Sequence, residues 1–449
     1  MNELLTVKAL ETFKESFEKN PAYKVSQRTV LRNGINESAI DRTIMASCKN
    51  TFSVDVDAGD ITNQKRSGRC WMFAGLNVLR KKAMDKANLK TLELSQTYLQ
   101  FFDKLEKCNA FLDRIIELAD EPINSRDNMF VISTLVMDGG YWSNFANLVQ
   151  KYGVVPLDAM PTTAVSDATD ELNKVLVALV NQDASVLRVR YEKNKDKQAL
   201  IPLKKKMLEE IYRVLAISLG VPPTTFAFEC YTKDTPKKFI QDINITPQEF
   251  YEKYIGENLD DYISLSNVPL PGFEENKAYF SHLVQSVEGK KPEVVFNIPL
   301  ASMKRAIIKS LKGGDLVWFA SDVSAQSLRK DGTLACDVLR QDELFDVKFS
   351  LNKGNRMAYQ TSFSNHAMTF TGVNLVSGRP NRFKVENSWG KEVGDNGFFT
   401  MSNQWFDEYV YQAIIKREYL PADILAAYDE AIKNPIETEP YFACFSQSI

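Results

Sequence analysis

Cys70 stands where a polar run, Gln64-Lys65-Arg66-Ser67-Gly68-Arg69, gives way to an apolar, helix-compatible one, Trp71-Met72-Phe73-Ala74-Gly75-Leu76. A thiol in the first turn of a helix sits among unpaired backbone N–H groups, at the positive end of the helix dipole. Both favour a thiolate. Gln64, upstream on the polar side, can turn back and offer its side-chain amide to the same point. An activated sulfur and a donor for an oxyanion are the two parts that nucleophilic acyl transfer requires.

A cysteine nucleophile needs a base, and the chain holds 2 histidines. His282 lies in Tyr279-Phe280-Ser281-His282-Leu283-Val284, without glycine or turn chemistry, and reads as a packed or surface residue. His366 heads an alternating strand, Ala367-Met368-Thr369-Phe370, and a base at a strand end is rigidly held and can face a cleft. Asn387 follows at the end of a second strand whose alternation, Phe383, Val385, Asn387, places it on one face. Its side-chain oxygen can accept from an imidazole N–H without adding charge. Trp389 can shield that bond from water and so strengthen it.

These residues need a framework to bring them together. The chain has 449 residues, 44% hydrophobic and 25% charged, which at roughly 150 residues per domain suggests two or three domains or one fold with large insertions. A net charge of -3 offers no overall reason to expect nucleic acid or an anionic membrane as the main partner. The N-terminus reads as lacking a signal peptide, and no run is long enough to span a bilayer. Cysteines at 48, 70, 108, 230, 336 and 444 form no CxxC pair and suit free thiols in a reducing cytoplasm.

An amphipathic helix is expected over 5–19, with Leu10, Phe13 and Phe17 on one face, followed by an irregular arm over 20–60. Ser95 reads as a cap for a helix carrying Tyr98, Phe101, Phe102, Leu105 and Leu112. Further helices are expected over 127–137, stopping at Gly139-Gly140, and over 143–152, stopping at Gly153. Residues 167–218 are helix-rich, with a lysine cluster at 193–206 that reads as a solvated face. Thr246-Pro247-Gln248-Glu249 is a capping box. Strand-like runs dominate from 291 onward, among them Leu316–Ala320, Ala367–Val373 and Arg382–Val385.

The sequence resembles the papain-like cysteine peptidases, and within them the bleomycin hydrolase and bacterial aminopeptidase C branch. The resemblance rests on Gln64–Ala74, Leu94–Leu99, Asp138-Gly139-Gly140-Tyr141-Trp142, Lys151–Pro156, Asn365-His366-Ala367-Met368, Val385–Gly390 and Met401–Val410. It implies an α+β fold, a papain-like two-lobed peptidase with a helical lobe, an antiparallel β-barrel-like lobe and a large, partly helical insertion. The divisions it implies are an N-terminal helix and arm over 1–60, a helical lobe over 61–162 and an insertion over 163–290 that serves oligomerisation. The β lobe then covers 291–430 and a C-terminal tail covers 431–449.

By that resemblance Cys70 is the nucleophile, His366 the general base and acid, Asn387 the residue that orients the imidazole, and Gln64 a donor in the oxyanion hole. Cys70 and His366 would rest as a thiolate–imidazolium pair, and a thioester would form and be hydrolysed. Gly139 and Gly140 would line the cleft and present backbone to an extended peptide, with Trp389 beside them. The carboxylate of the terminal residue, Ile449, would anchor a substrate's free amine. No metal or organic cofactor is implied, the partners are peptide substrates in the cytoplasm, and the assembly is a homohexamer.

Two departures from the branch matter. The chain ends Tyr441-Phe442-Ala443-Cys444-Phe445-Ser446-Gln447-Ser448-Ile449 where small residues are expected, which leaves an endopeptidase of the same family as the alternative. Asn365 stands where a threonine is expected. A further alternative, an inactive ring that binds peptide or single-stranded nucleic acid, rests on the lysine cluster and the insertion.

Overall fold

The computed structural model describes residues 4–439. Its N-terminal part corrects the expectation of an irregular arm. Helix α1 (Val7–Lys19) is followed by α2 (Pro21–Asn33), α3 (Ile35–Ala39) and α4 (Arg42–Ser47). Cap chemistry explains the extra helices. Asn20 Oδ1 accepts from Ala22 N at 3.0 Å, with Pro21 at the first helical position, and Asp41 accepts from Thr43 N at 2.8 Å. A search for long apolar periodicity passes over such short starts. Neither α1 nor α2 buries a residue.

The helical lobe is built on α5 (Cys70–Lys86), α6 (Gln96–Glu117), α7 (Arg126–Thr134) and α8 (Trp142–Tyr152). Every residue of α5 from Cys70 to Arg80 is buried, so the first three turns run through the interior without a solvent face, and only the end near Asp85 and Lys86 reaches water. Gly75 permits the crossing: a Cβ there would stand 2.8 Å from the Phe145 ring of α8. Ser95 caps α6 by accepting from Tyr98 N at 3.1 Å. Helix α7 ends at Thr134, short of the expected 137, and α8 stops at Gly153, whose φ is 73°.

Two long helices follow, α9 (Asp170–Asn194) and α10 (Ile201–Leu219), both packed on α6. A hairpin of its own comes next, and Thr246 forms the expected capping box with Glu249.

In chain order the strands are β1 (Val54–Asp55), the hairpin β2 (Phe226–Tyr231) and β3 (Phe239–Ile245), then β4 (Tyr262–Ser266), β5 (Lys277–Phe280), β6 (Val294–Asn297), β7 (Val317–Ser321), β8 (Ser327–Leu328), β9 (Thr333–Leu334), β10 (His366–Val376), β11 (Arg379–Glu386), β12 (Phe398–Ser402), β13 (Val410–Lys416) and β14 (Ile436–Glu437). All but β2 and β3 join one 12-stranded sheet ordered β14-β5-β6-β4-β13-β7-β10-β11-β12-β9-β8, with β1 paired to β10. Most pairings are antiparallel; β4–β6, β9–β12 and β5–β14 are parallel. The sheet therefore begins at 262, before the expected 291, because β4 and β5 are short runs separated by Pro269, Pro271 and Gly272 that read as punctuation.

Two large apolar cores result, with a small third one of Ala39, Leu328, Ala335, Val338 and Leu339 beside them. One gathers the helices, including Trp71, Phe111, Phe145 and Leu187. The other fills the sheet side, with Phe319, Phe370, Phe383 and Trp405. The join between them carries the chemistry: Trp318 Nε1 on β7 donates to Trp71 O on α5 at 2.9 Å.

Candidate active site

Cys70 is the first residue of α5 and is 2% exposed. Its Sγ accepts from Ala367 N at 3.5 Å. Ala367 follows His366, which opens β10 opposite Ser321 of β7. With β7 on one side and β11 on the other, β10 holds the histidine on a braced backbone. His366 Nε2 and Asn387 Oδ1 lie 2.9 Å apart. Ser388 N donates to the same Oδ1 at 2.8 Å, which fixes the amide's orientation. An amide oxygen only accepts, so Nε2 carries the hydrogen and Nδ1 is left bare to receive a proton from a thiol. Trp389 covers the imidazole, ring centroids 4.7 Å apart and planes 30° from parallel.

Gln64 is tied to the strand end that carries Asn387. Its N–H donates to Ser388 O at 2.8 Å, its Oε1 accepts from Ser388 Oγ at 2.7 Å, and its Nε2 donates to Ser67 O at 2.6 Å. An amide nitrogen carries two hydrogens, so one stays available for an oxyanion. Ser388 thus orients Gln64 with its hydroxyl and Asn387 with its N–H. In the sequence Ser388 is simply the residue between Asn387 and Trp389, and a hydroxyl beside the asparagine is its one signal.

Burial acts against both charges expected at rest. It pushes the Cys70 thiol up to about 11, against the N–H groups of Ala367, Trp71 and Cys70 itself, which favour the anion. It lowers the His366 imidazole to about 4, opposed by the bond to Asn387 and aided by the nearby Arg329 guanidinium. Each charge alone is disfavoured here, and the two gain by forming together.

Gly139 and Gly140 rest on a buried cluster of charges. A Cβ on Gly140 would lie 2.6 Å from the Trp71 indole. That indole donates from Nε1 to Asp138 O at 2.8 Å. Lys107 Nζ donates to Gly139 O at 2.6 Å and pairs with Asp103 at 3.0 Å. The Asp138 carboxylate pairs with Lys104 Nζ at 2.7 Å and accepts from Gly68 N at 3.0 Å and from Thr169 Oγ1. Burial opposes its charge, but Lys104, Thr169 and Gly68 together hold it well below the usual carboxylate range. Asp138 therefore ties the loop before Cys70 to the wall across the cleft. Its position next to Gly139 was visible in the sequence; its partners were not.

Other candidates fall outside this group. His282 lies in a short turn after β5, with Nδ1 within hydrogen-bonding reach of Glu437, and its carbonyl accepts from Arg114 at 2.9 Å. Cys48, Cys108, Cys230 and Cys336 are free. In the lysine cluster Lys195 pairs with Glu192, Lys197 with Asp120 and Lys204 with Asp113. The start of the tail runs along β5 as β14, and Glu439 meets Arg126 at 3.2 Å. Cys444 and Ile449 lie outside the described residues. A cavity of about 1420 Å³ between residues 36–45 and 324–351 is lined by none of Gln64, Cys70, His366 or Asn387. Among the described residues no three His, Cys, Asp or Glu side chains are grouped to hold a metal, and no helix is long and apolar enough to cross a membrane.

Known proteins are similar to this chain in sequence and in fold. The model of the Peptidase C1-like family matches residues 4–442. Aminopeptidase C of Lactobacillus delbrueckii subsp. lactis is 40% identical over 441 residues, 98% of each chain. Aminopeptidase C of Listeria monocytogenes is 38% identical, again over 98% of each. The crystal structure of pepw from Lactobacillus rhamnosis HN001 superposes with a TM-score of 0.96 at 39% identity and covers both chains completely.

Proposed function

From the premise that this chain belongs to the Peptidase C1-like family and is a papain-like cysteine aminopeptidase, we propose that it releases N-terminal residues from short peptides through a thioester on Cys70. The observation that carries this reading is the joint placement of Cys70 Sγ against Ala367 N at 3.5 Å and of His366 Nε2 against Asn387 Oδ1 at 2.9 Å.

In this mechanism Sγ attacks the scissile carbonyl as its proton passes to His366 Nδ1. Burial disfavours a lone thiolate and a lone imidazolium, so the two charges stabilise each other as a pair while the substrate carbonyl takes up the electron pair. The oxyanion is met by the Cys70 N–H at the start of α5 and by Gln64 Nε2. The C–N bond then breaks, His366 gives its proton to the leaving amine, and the acyl group remains on sulfur as a thioester. Water, deprotonated by His366, attacks the thioester, the acid is released and the thiol is restored. Asn387 keeps the imidazole in one tautomer throughout. Gly139 and Gly140 offer backbone to the acyl side of the peptide.

The site of action is placed in the cytoplasm, supported by free cysteines rather than disulfides. The chain assembles with its own copies, as a homohexamer. Support comes from the apolar face that α1 and its neighbours leave uncovered in one copy, with Leu10 51%, Phe13 59% and Val25 53% exposed. Light scattering of the purified protein tests this, and a monomer at micromolar concentration overturns it.

The activity is tested with matched peptides bearing a free or an acetylated N-terminus. Release of single residues from the free form, lost in Cys70→Ala, is the expected result. Equal cleavage of the blocked form would make the protein an endopeptidase, and no cleavage of either by the folded protein would remove the reading.

A further inference from the structure

The residue that stacks on the far end of the imidazole's aromatic cover is a cation with no assigned work. Arg329 begins the turn between β8 and β9, and its guanidinium carbon lies 5.1 Å from the Trp389 ring centroid. Trp389 in turn lies 4.7 Å from His366. The turn is pinned to the sheet from both sides. Lys330 O accepts from Gly394 N at 3.1 Å and Gly332 O from Thr400 N at 2.8 Å. Gly332 is obligatory there: its φ is 67°, and a Cβ would meet Gly394 Cα and Phe398 O at 2.8 Å. Arg329 is thus an exposed side chain on a fixed backbone. Among the described residues no carboxylate stands within ion-pair distance of it.

Which part of a substrate this cation meets follows from the chemistry. His366 must hand its proton to the leaving amine, so the leaving half of the peptide passes beside the imidazole. Whatever flanks the imidazole flanks that half. Gly139 and Gly140, the latter packed on Trp71, belong on this reading to the acyl half.

Resting on the reading above, we propose that Arg329 is a specificity-determining residue that recognises a carboxylate on the leaving side of the scissile bond. In a di- or tripeptide that group is the free C-terminal carboxylate; in a longer chain it is an Asp or Glu side chain. A guanidinium stacked on an indole keeps its edge N–H groups free and pre-oriented, so it can bind a carboxylate through two parallel hydrogen bonds. Lys330, beside it and also exposed, adds positive potential. A cation here also selects against basic leaving residues.

The test compares kcat/KM for one neutral tripeptide as the free acid, as its C-terminal amide, and as an amide with Asp in the first leaving position. The native protein should prefer the acid over the amide by about fivefold, the scale of a partly exposed charge pair with bidentate geometry. That preference should shrink as salt is raised. Arg329→Ala should bring the acid-to-amide ratio to near one, and Arg329→Lys should keep part of it. Because the ratio is taken within one preparation, it does not depend on how much of a variant folds. A gain for the Asp-containing amide that disappears in Arg329→Ala assigns the site to side chains as well as chain ends. A native ratio near one, or a ratio that survives Arg329→Ala, overturns the proposal while leaving the peptidase reading intact. Failure on all three peptides with a free amine would instead strike the peptidase reading.

Discussion

Arg80 Nη2 and Glu386 Oε1 lie 2.7 Å apart, both fully buried, and join the helix that begins at Cys70 to the strand that ends beside Asn387. The same Glu386 oxygen accepts from Asn77 Nδ2 at 3.0 Å, and Arg80 also donates to Asp60 O at 2.5 Å and to Ala58 O. Burial raises the Glu386 carboxyl, partly offset by Arg80. Cys70 and Asn387 come from the helical and the sheet side, and this pair is one of the buried ties between them.

Removing one member of that pair leaves the other charge buried alone. Arg80→Met and Glu386→Leu singly should each destabilise the protein by about 3–5 kcal/mol. The double variant should recover much of that loss in melting temperature. Its kcat should stay depressed, because an apolar contact does not fix the spacing of Cys70 and Asn387 as a directional pair does. Thermal unfolding and kcat measured on all three variants check both halves.

The hydrogen bond to Asn387 supports protonation of His366, whereas burial and Arg329 oppose it. Asn387→Ala removes the only one of these that raises the imidazole. The acid limb of kcat/KM, expected near pH 4 in the native protein, should move lower still, and kcat should fall by about 10²-fold or more as the tautomer is no longer held. Arg329→Ala should move the limb the other way, toward the ordinary histidine range. A pH–rate profile of the three proteins reads these opposed shifts.

Gly140→Ala places a methyl 2.6 Å from the Trp71 indole, and neither the ring nor the wall has room to give, since Trp71 is fully buried and bonded to Asp138 O and, through its own carbonyl, to Trp318. Overpacking of this kind costs about 1–3 kcal/mol. KM should rise more than kcat falls if, as proposed, the displaced backbone holds the acyl side of the peptide. Unfolding and Michaelis kinetics on the one variant separate the two effects.

Lys353 is buried, with Nζ donating to Asn267 Oδ1 at 2.9 Å and to Val410 O at 2.7 Å. Burial lowers it from 10.5 to about 7, with Glu408 and Asp407 acting the other way and Arg356 and Lys304 adding to the fall. The unfolded chain therefore binds the proton more tightly than the folded one. Stability from this group is lowest below about pH 7 and rises as pH climbs toward the unfolded value, by about 1.4 kcal/mol per unit of the shift. Lys353→Met should flatten that rise between pH 7 and 10, as followed by denaturant midpoints.

The sequence by itself determined which residues could do the chemistry and what kind of local element each would start or end. Cys70 at the change from polar to apolar, His366 at the head of an alternating run and Asn387 at the end of another are signals that act over a few neighbouring residues. So are the caps at Ser95, Thr246 and Gly153. The short helices over 21–47 were equally local and were missed because their starts lie in single capping residues, Asn20 and Asp41, rather than in a period.

The tertiary structure alone decided what each group became. Arg80 and Glu386 are 306 positions apart, and nothing near either predicts the other. The bare Nδ1 of His366 follows from Ser388 fixing the Asn387 amide, and the penalty on a lone thiolate or a lone imidazolium follows from the burial of Cys70 and His366. Local propensity depends on the nearest few residues, whereas the strength of a charge depends on how much water the whole fold removes around it, and only the assembled chain sets that.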